Sequence, residues 1–597
     1  MDKTVWSTQL TESLMWLVKA YGITLVAGLL LAVVLIKTTR WGQQFWQISH
    51  EFLSIKRSIK PTLLILVILA FTLAGVRVDV LLTYWSQDMF NSLQSLDQAF
   101  FWASIWVFCT LATIHVVRVL TGYLVQQYLV VSWREFLNEQ LLTRWLNNQA
   151  YYRTHFAKDS IDNPDQRIQQ DIDAFTKQSV GISSGLVDAF VSIVEFTVVL
   201  YGLSKPFVLL GYSIDHGMVW LAYAYVLVST GLAFFIGKPL IQLKYTSERL
   251  AANYRYTLVR LREYTENIAI YQGEKVEKII FNQGFSSMIR NLWQVVFRML
   301  KLDGFNLSIS QAAVIFPYMV QAPALFSKAI TFGAFMATAR AFGSLQSALS
   351  FFRQAYEDFA SYKATLNRLT GFLDACADTE KLPKPIINKE GSSLILDKLN
   401  LYKPNGEPLI QDINATVLRG HSLLIRGQSG SGKTTLLRAI AGLWPYTTGQ
   451  ITVPAGKILF LSQKPYLPLG SLRTGLFYPE PPNEQTDLAP VLTHVQLNLL
   501  PEQLDTVADW SRDLSVGEQQ RLAFGRMLLS KPDVIFMDEA TSAMDEKLED
   551  TLYTLIREQL PTALIVSIGH RSTLNRHHDY ALDIVNGRSK LTQLNTI

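Results

Sequence analysis

Long apolar runs crowd the chain before about residue 370 and become rare after it. Crossing a bilayer as a helix takes about 17–25 consecutive residues with few charges. On that rule the candidate spans lie at Tyr21–Ile36, Pro61–Leu82, Phe100–Val131, Gly185–Leu210, Met218–Gly237, Leu307–Phe326 and Ile330–Phe351. The first is short, and a secretory signal is its rival. Charge follows it and no small-residue cleavage site does, which argues for a retained extra helix.

Basic residues alternate between the connections. Lys37, Arg40, Lys56, Arg57 and Lys60 separate the first two spans, and no Lys or Arg separates the next two. Arg134, Arg144, Arg153, Lys158, Arg167 and Lys177 follow the third span, only Lys205 follows the fourth, and Lys238 to Lys301 bound a crowded stretch after the fifth. Only Lys328 lies in the last connection. Basic loops stay cytoplasmic on insertion, so seven spans place the N-terminus outside and everything after Phe351 inside. Trp133–Tyr152 and Ile241–Gln272 keep apolar residues at three- and four-residue spacing without proline. They read as helices extending beyond the bilayer, with amphipathic surface helices as the alternative.

Asp374–Ser393 is polar, holds two prolines and a glycine, and reads as a linker. Beyond it, short β-rich runs alternate with helical patterns at Leu394–Leu396, Leu423–Arg426, Lys457–Leu461, Val534–Met537 and Leu564–Ile568. That alternation predicts an α/β domain with a largely parallel sheet. The expected division is therefore 1–50 for the extra helix and its connection, 51–373 for the membrane domain, 374–393 for the linker and 394–597 for the α/β domain.

Composition agrees with a part-membrane chain. Its 597 residues carry 17% charge, against about 25% in soluble domains. A net charge of +5 is too mild for a nucleic-acid binder. Cys109 and Cys376 are the two cysteines, too few for a disulfide framework.

The chemistry lies in the second half. Gly427, Gln428, Ser429, Gly430, Ser431, Gly432, Lys433 and Thr434 fit G-x-x-x-x-G-K-[ST], between a strand-like SLLIR and a helix-like TTLLRAIAGL that includes Thr435. Glycines let backbone N–H groups cradle phosphates, the helix N-terminus adds positive potential, Lys433 neutralises the β/γ-phosphates and Thr434 ligates Mg²⁺. An apolar strand ends in Asp538 and Glu539 about a hundred residues later. There Asp538 is placed to hold Mg²⁺ and Glu539 to polarise the attacking water.

Leu514–Arg521 (LSVGEQQR), with Ser515, Gly517 and Glu518, resembles the signature of ABC transporter ATPases, although Val516 stands where the family commonly has glycine. Gln463 resembles its Q-loop glutamine, a further Mg²⁺ contact. Ser542–Asp545 resembles its D-loop, His570 its switch histidine and Tyr402 its adenine-stacking aromatic. In the membrane half, Ile161–Ile168 (IDNPDQRI) and Glu266–Gly273 (ENIAIYQG) resemble the SbmA/BacA-like and the peroxisomal fatty-acyl (subfamily D) transporters. Asn267 and Ile270 depart from the peroxisomal pattern, which favours the bacterial branch.

The resemblance implies an α-helical transmembrane bundle of exporter-type ABC architecture, six core helices plus one N-terminal helix, fused to an α/β P-loop ATPase domain. It implies ATP and Mg²⁺ as cofactors, and a homodimer, because a complete site needs the P-loop of one copy against the signature of another. It implies transport across a bacterial inner membrane of bulky hydrophilic solutes such as cobalamin or antimicrobial peptides, with import open. Neither nucleic acid nor an obligatory binding protein is indicated. A fatty-acyl or lipid carrier and a non-transporting regulatory subunit are the alternatives. Inside the candidate spans stand His115, Arg118, Asp188, Glu195 and Arg340. Such charges are costly against lipid, so Arg118 and Glu195 are candidates for a polar transport path, or else for interhelical packing.

Overall fold

Apolar periodicity becomes helix throughout the N-terminal part. The computed structural model describes residues 6–157, 163–204, 207–209, 212–498 and 501–594. Lys158, Ile161, Asp162, Lys205 and Leu210, used above, lie outside the described residues. The chain divides into two compact units, Met1–Thr143 with Asn163–Leu373, and Arg144–Asp162 with Asp374–Ile597.

In the first unit, six helices among the described residues are long and apolar enough to cross a membrane: Thr8–Thr38, Lys60–Gln94, Gln98–Phe156, Pro164–Leu203, Gly217–Glu263 and Glu274–Phe326. The expected span at Ile330–Phe351 lies in a seventh long helix, Phe332–Lys381, which is not among those six. Arg340, Gly343, Ser344, Gln346 and Ser347 dilute its apolar run, and part of what remains faces the bundle interior. Ala337, Ala341, Phe342 and Leu345 are fully buried, three of them in a cluster with Val80, Phe196, Leu200 and Ala222 from three other helices. The expected span Gly185–Leu210 is shorter than read, since its helix stops at Leu203 and Phe207–Leu209 pairs antiparallel with Tyr212–Ile214.

The first helix, Trp6–Thr38, leaves its apolar window exposed. It runs antiparallel to Lys60–Gln94 and is held by polar contacts in register. Trp6 Nε1 donates to Asp88 (3.2 Å), Arg77 Nε to Ser13 Oγ (3.0 Å) and Tyr21 Oη to the Leu66 carbonyl (3.1 Å).

Both expected extensions exist and both are interrupted. The helix Gln98–Leu146 stops before Asn148 and Gln149, whose left-handed φ of 50° and 57° breaks the ladder. The helix Gly217–Glu263 ends at Tyr264, and the short helix Thr265–Ile270 follows.

In the second unit the expected strands form one ten-stranded sheet. Its order is Ile386–Lys389, Thr447–Val453, Ser393–Tyr402, Pro408–Leu418, Arg588–Gln593, Tyr580–Val585, Ser422–Gly427, Leu564–Ile568, Val534–Asp538 and Ile458–Leu461. The last five are mutually parallel; the Ser393–Tyr402 strand pairs antiparallel with both of its neighbours. Side chains alternate between faces along a strand. Val534 and Phe536 enter one core while Ile535 and Met537 enter the other, and Leu423 and Ile425 are divided from Leu424 in the same way. Apolar cores on both faces explain why these strands read as unbroken apolar runs.

The segment read as a linker holds more structure than its composition suggests. Helix continues to Lys381, with Ala375 and Cys376 buried, and Ile386–Lys389 joins the sheet edge. Arg153 Nη2 donates to the carbonyls of Leu382 and Pro383 at 3.0 and 3.3 Å, just past that helix end. Phe156 meets Trp444 edge-on at 5.2 Å and Tyr446 at 6.1 Å. The stretch after Leu146 thus folds with the ATPase sheet, not with the helices that flank it in sequence.

Candidate functional site

The parallel strands end at one edge of the sheet, and the expected site residues emerge there. The P-loop leaves Ser422–Gly427 and enters the helix Lys433–Ile440. Gly432 has φ +97°, and a Cβ there would sit 3.0 Å from Leu409, so turn and close approach both demand glycine. Lys433 is buried, and its ammonium donates to the carbonyls of Gly427 (2.9 Å) and Gln428 (3.0 Å), spanning the loop. Burial pulls its pKa down, and the fields of Glu539 and Asp538 oppose that shift. Gly427 and Gly430 share positive φ with Gly432, and Ser431 Oγ is buried without a hydrogen-bond partner among the described residues. Gln428, Ser429 and Thr435 occupy the loop and first helical turn as the motif requires.

Asp538 closes the strand Val534–Asp538 and accepts a hydrogen bond from Thr434 Oγ1 at 3.2 Å. Burial pushes its carboxyl above the ordinary carboxylate range. Glu539 follows in a left-handed conformation, φ 49°, its N–H bonded to the Ile568 carbonyl. Its two oxygens are engaged separately: Gln463 Nε2 donates to Oε2 at 3.1 Å, and His570 Nε2 meets Oε1 at 3.1 Å. His570 follows Leu564–Ile568 after Gly569, where a Cβ would fall 2.1 Å from Leu574.

The signature opens the helix Val516–Ser530. Ser515 is its N-cap and forms a reciprocal capping box with Glu518: the Ser515 N–H and Oγ–H donate to Glu518 Oε2 at 2.9 and 2.7 Å, and the Glu518 N–H donates back. These bonds hold the Glu518 carboxyl below its ordinary pKa. Gly517 faces the D-loop, since a Cβ there would lie 3.1 Å from the Ala543 carbonyl. Asp545 caps the next helix, Glu546–Gln559, by accepting from the Leu548 N–H.

The fold therefore joins Lys433, Thr434, Asp538, Glu539, Gln463 and His570 into one cluster. Among the described residues, no hydrogen bond or ion pair links Ser515, Gly517 or Glu518 to Lys433 or Thr434. Tyr402 stands apart too, at the end of Ser393–Tyr402, its carbonyl accepting from Trp444 Nε1 and its N–H bonded to the Tyr446 carbonyl. Sequence reading missed Gln520, which is fully buried behind Gln463 and bonds its carbonyl at 2.8 Å.

The two membrane charges do not pair. Glu195 accepts from Trp16 Nε1 at 2.8 Å, and Arg118 Nη1 donates to the Phe71 carbonyl at 3.1 Å over Gly75. Asp79 lies in the fields of His115, Arg340 and Arg118, and Asp188 in those of Asp79 and Arg118.

A glycine-rich loop running into a helix, an acidic strand end and a Glu–Gln–His cluster suit nucleoside triphosphate hydrolysis. Comparison with known proteins gives the same answer independently. Residues 52–326 match the family model "ABC transporter transmembrane region 2", and residues 410–542 match "ABC transporter". An uncharacterized ABC transporter ATP-binding protein of Haemophilus influenzae is 45% identical over 97% of this chain and 98% of its own length. The chloroplastic ABC transporter D family member 2 of Arabidopsis thaliana is 31% identical over 93% of this chain and 88% of its own. The human lysosomal cobalamin transporter ABCD4 is 29% identical over 77% of this chain and 81% of its own. The chain belongs to the ABC transporter family, as a half-transporter that joins one membrane region to one ATPase domain and couples ATP hydrolysis to transport.

Proposed function

We propose that two copies form a C₂ homodimer in the cytoplasmic (inner) membrane of a bacterium, with two equivalent ATP sites, each built from the P-loop of one copy and the signature of the other. The observation that carries this is the separation within one chain: among the described residues no hydrogen bond or ion pair joins Ser515 or Gly517 to Lys433 or Thr434, while both sets are intact. A nucleotide held between copies satisfies both faces. Glu539 polarises the attacking water, Gln463 and His570 orient it, Lys433 neutralises phosphate charge, and Tyr402 stacks on the base.

The donor set suits Mg²⁺. Asp538 is a half-buried carboxylate bonded to Thr434, with Gln463 nearby through Glu539. Mg²⁺ characteristically takes one or two protein oxygens and completes its shell with phosphates and water, and among the described residues no cluster of three acidic, His or Cys ligands competes for it. When bound, the ion neutralises charge developing on the transferred phosphoryl group. Thr434, Asp538 and Gln463 are the residues that would hold it.

For cargo, a bulky hydrophilic solute such as cobalamin or an antimicrobial peptide is the leading reading, with import the direction to test. Support comes from Asp79, Asp188, His115, Arg118 and Arg340, which interact electrostatically within apolar helices, and from the relative named a cobalamin transporter. A fatty-acyl or lipid cargo is the second reading. It is favoured by a cavity of about 460 Å³ whose lining is mostly apolar, Leu10, Leu14, Leu17, Val78, Leu81 and Leu111 included, with Arg77 and Gln9 among its polar members. The test is reconstitution into sealed vesicles, measuring flux of cobalamin, a cationic peptide and an acyl-CoA against ATP turnover. Stimulation and movement of cobalamin or peptide alone is expected; acyl-CoA flux alone reverses the order of the two readings.

A further inference from the structure

The signature helix Val516–Ser530 carries, on its second turn, a side chain that no function above requires. Gln520 is fully buried. Its Nε2 donates to the Gln463 carbonyl at 2.8 Å and to Ser542 Oγ at 3.2 Å, and its Oε1 accepts from the Ala543 N–H at 3.1 Å. Turning the amide over would set oxygen against the Gln463 carbonyl and NH₂ against an N–H, so the network fixes its orientation. Burying an amide is costly unless it is bonded, and a leucine would suffice to pack a helix. All three bonds instead reach loops that carry functional groups.

These bonds form a chain of contacts. Gly517 abuts the Ala543 carbonyl, Ala543 N–H binds Gln520, Gln520 binds the Gln463 backbone, and the Gln463 side chain binds Glu539 at 3.1 Å. The same helix grips the loop beyond Gln463 a second time, through Arg526, whose Nη2 donates to the carbonyls of Tyr466 (3.0 Å) and Gly475 (2.7 Å). The helix that presents the signature thus also sets where the Gln463 backbone stands. A single side-chain amide spans from that backbone to Glu539, leaving little slack.

We propose that Gln520 is a positioning residue for ATP hydrolysis, holding the Gln463 and Ser542–Ala543 loops in one arrangement so that Gln463 reaches Glu539. This rests on the roles given above to Gln463 and Glu539, and does not depend on the homodimer.

The test is a double-mutant cycle in the full chain, in lipid nanodiscs, with Gln463→Ala, Gln520→Met and the pair. Turnover is counted per chain that binds a fluorescent ATP analogue. Gln520→Met is expected to lower kcat roughly ten- to hundredfold, as small misplacements of catalytic groups do, with the Kd of the analogue held within about twofold. In the Gln463→Ala background it costs less than about threefold more, because both changes break one unit. Should Gln520→Met fold poorly, Gln520→Glu keeps the acceptor for Ala543 and replaces the donor, and shows the same kcat loss. A multiplicative double variant, a Kd that worsens in step with kcat, or wild-type kcat in both Gln520 variants overturns the proposal. Wild-type kcat in Gln463→Ala instead removes the role given to Gln463 and this proposal with it.

Discussion

His578 shows how a buried titratable group outside the site governs the response of the ATPase domain to acid. Its Nδ1–H donates to the Leu574 carbonyl and its Nε2 accepts from Ser567 Oγ, both at 2.8 Å, while Ser567 accepts in turn from Tyr553. Both ring nitrogens are satisfied in this neutral tautomer, and burial pushes the pKa down to about 4. Unfolded chains bind that proton near pH 6.5, so the native state loses stability as pH falls from about 6.5 toward 4, by roughly 3 kcal/mol in all. His577, lowered by burial against the pull of Asp550, acts in the same sense. Thermal unfolding of the ATPase domain should therefore be flat above pH 7 and decline below pH 6. His578→Asn should be less stable at pH 7 and depend less on pH.

Residues whose placement depends on local spacing were legible in sequence. Gly427 to Thr434, Asp538 and Glu539 need only a strand end and a helix start, which apolar patterning supplies. Gln463 and His570 were identified by resemblance alone, since 76 and 31 residues separate them from Glu539, and no periodicity encodes such a meeting. Gln520 lies inside the LSVGEQQR run, but nothing in the sequence marked its contacts. One glutamine on a helix looks like surface until the fold places two loops on it.

Among elements, the first helix is the least familiar, lying outside the matched membrane model that begins at residue 52. Its apolar run was evident, whereas its polar anchoring was not, because Glu195 lies 179 positions along the chain from Trp16. Glu195 accepting from that indole makes it a helix anchor in this structure. Trp16→Phe and Glu195→Gln should each weaken heat stability in detergent by about 1–2 kcal/mol, and the double variant by no more than the larger single loss. Additive losses would place the two side chains in separate roles.

A second element-scale link joins the helix Phe332–Lys381 to the π-helical turn Arg167–Asp171. Arg368 donates to both oxygens of Asp171 at 2.9 and 2.6 Å, and Arg167 adds a bond at 3.0 Å. Asp171 is buried, so Asp171→Ala should lower the unfolding free energy of the membrane unit by about 2 kcal/mol, measurable as a lower melting midpoint. The π turn could not be read from sequence, since it differs from the adjoining helix by one residue per hydrogen-bonded ring. The polar stretch after Asp374 misled in a similar way. Its composition suits a linker, yet burial of Ala375 and Cys376 on one side of the helix keeps it ordered to Lys381.

At the scale of the whole molecule, the division into a membrane helical unit and an α/β unit was visible as a shift from long apolar runs to short ones. Assignment of residues 144–157 to the ATPase unit was not. It rests on Arg153 and Phe156 meeting partners more than two hundred residues away. The proposed homodimer requires each ATP site to be shared between two chains. Lys433→Ala removes the phosphate cation of one site half, and Ser515→Asp keeps a good helix cap while setting negative charge where the γ-phosphate of the other copy would lie. Each variant alone should be inactive. The decisive measurement is ATP turnover after the two are co-expressed and co-purified through different tags. Shared sites predict recovery, because each mixed dimer pairs an intact P-loop with an intact signature at one of its two sites, giving up to about half of wild-type turnover. Turnover no greater than that of the separate variants would contradict the account.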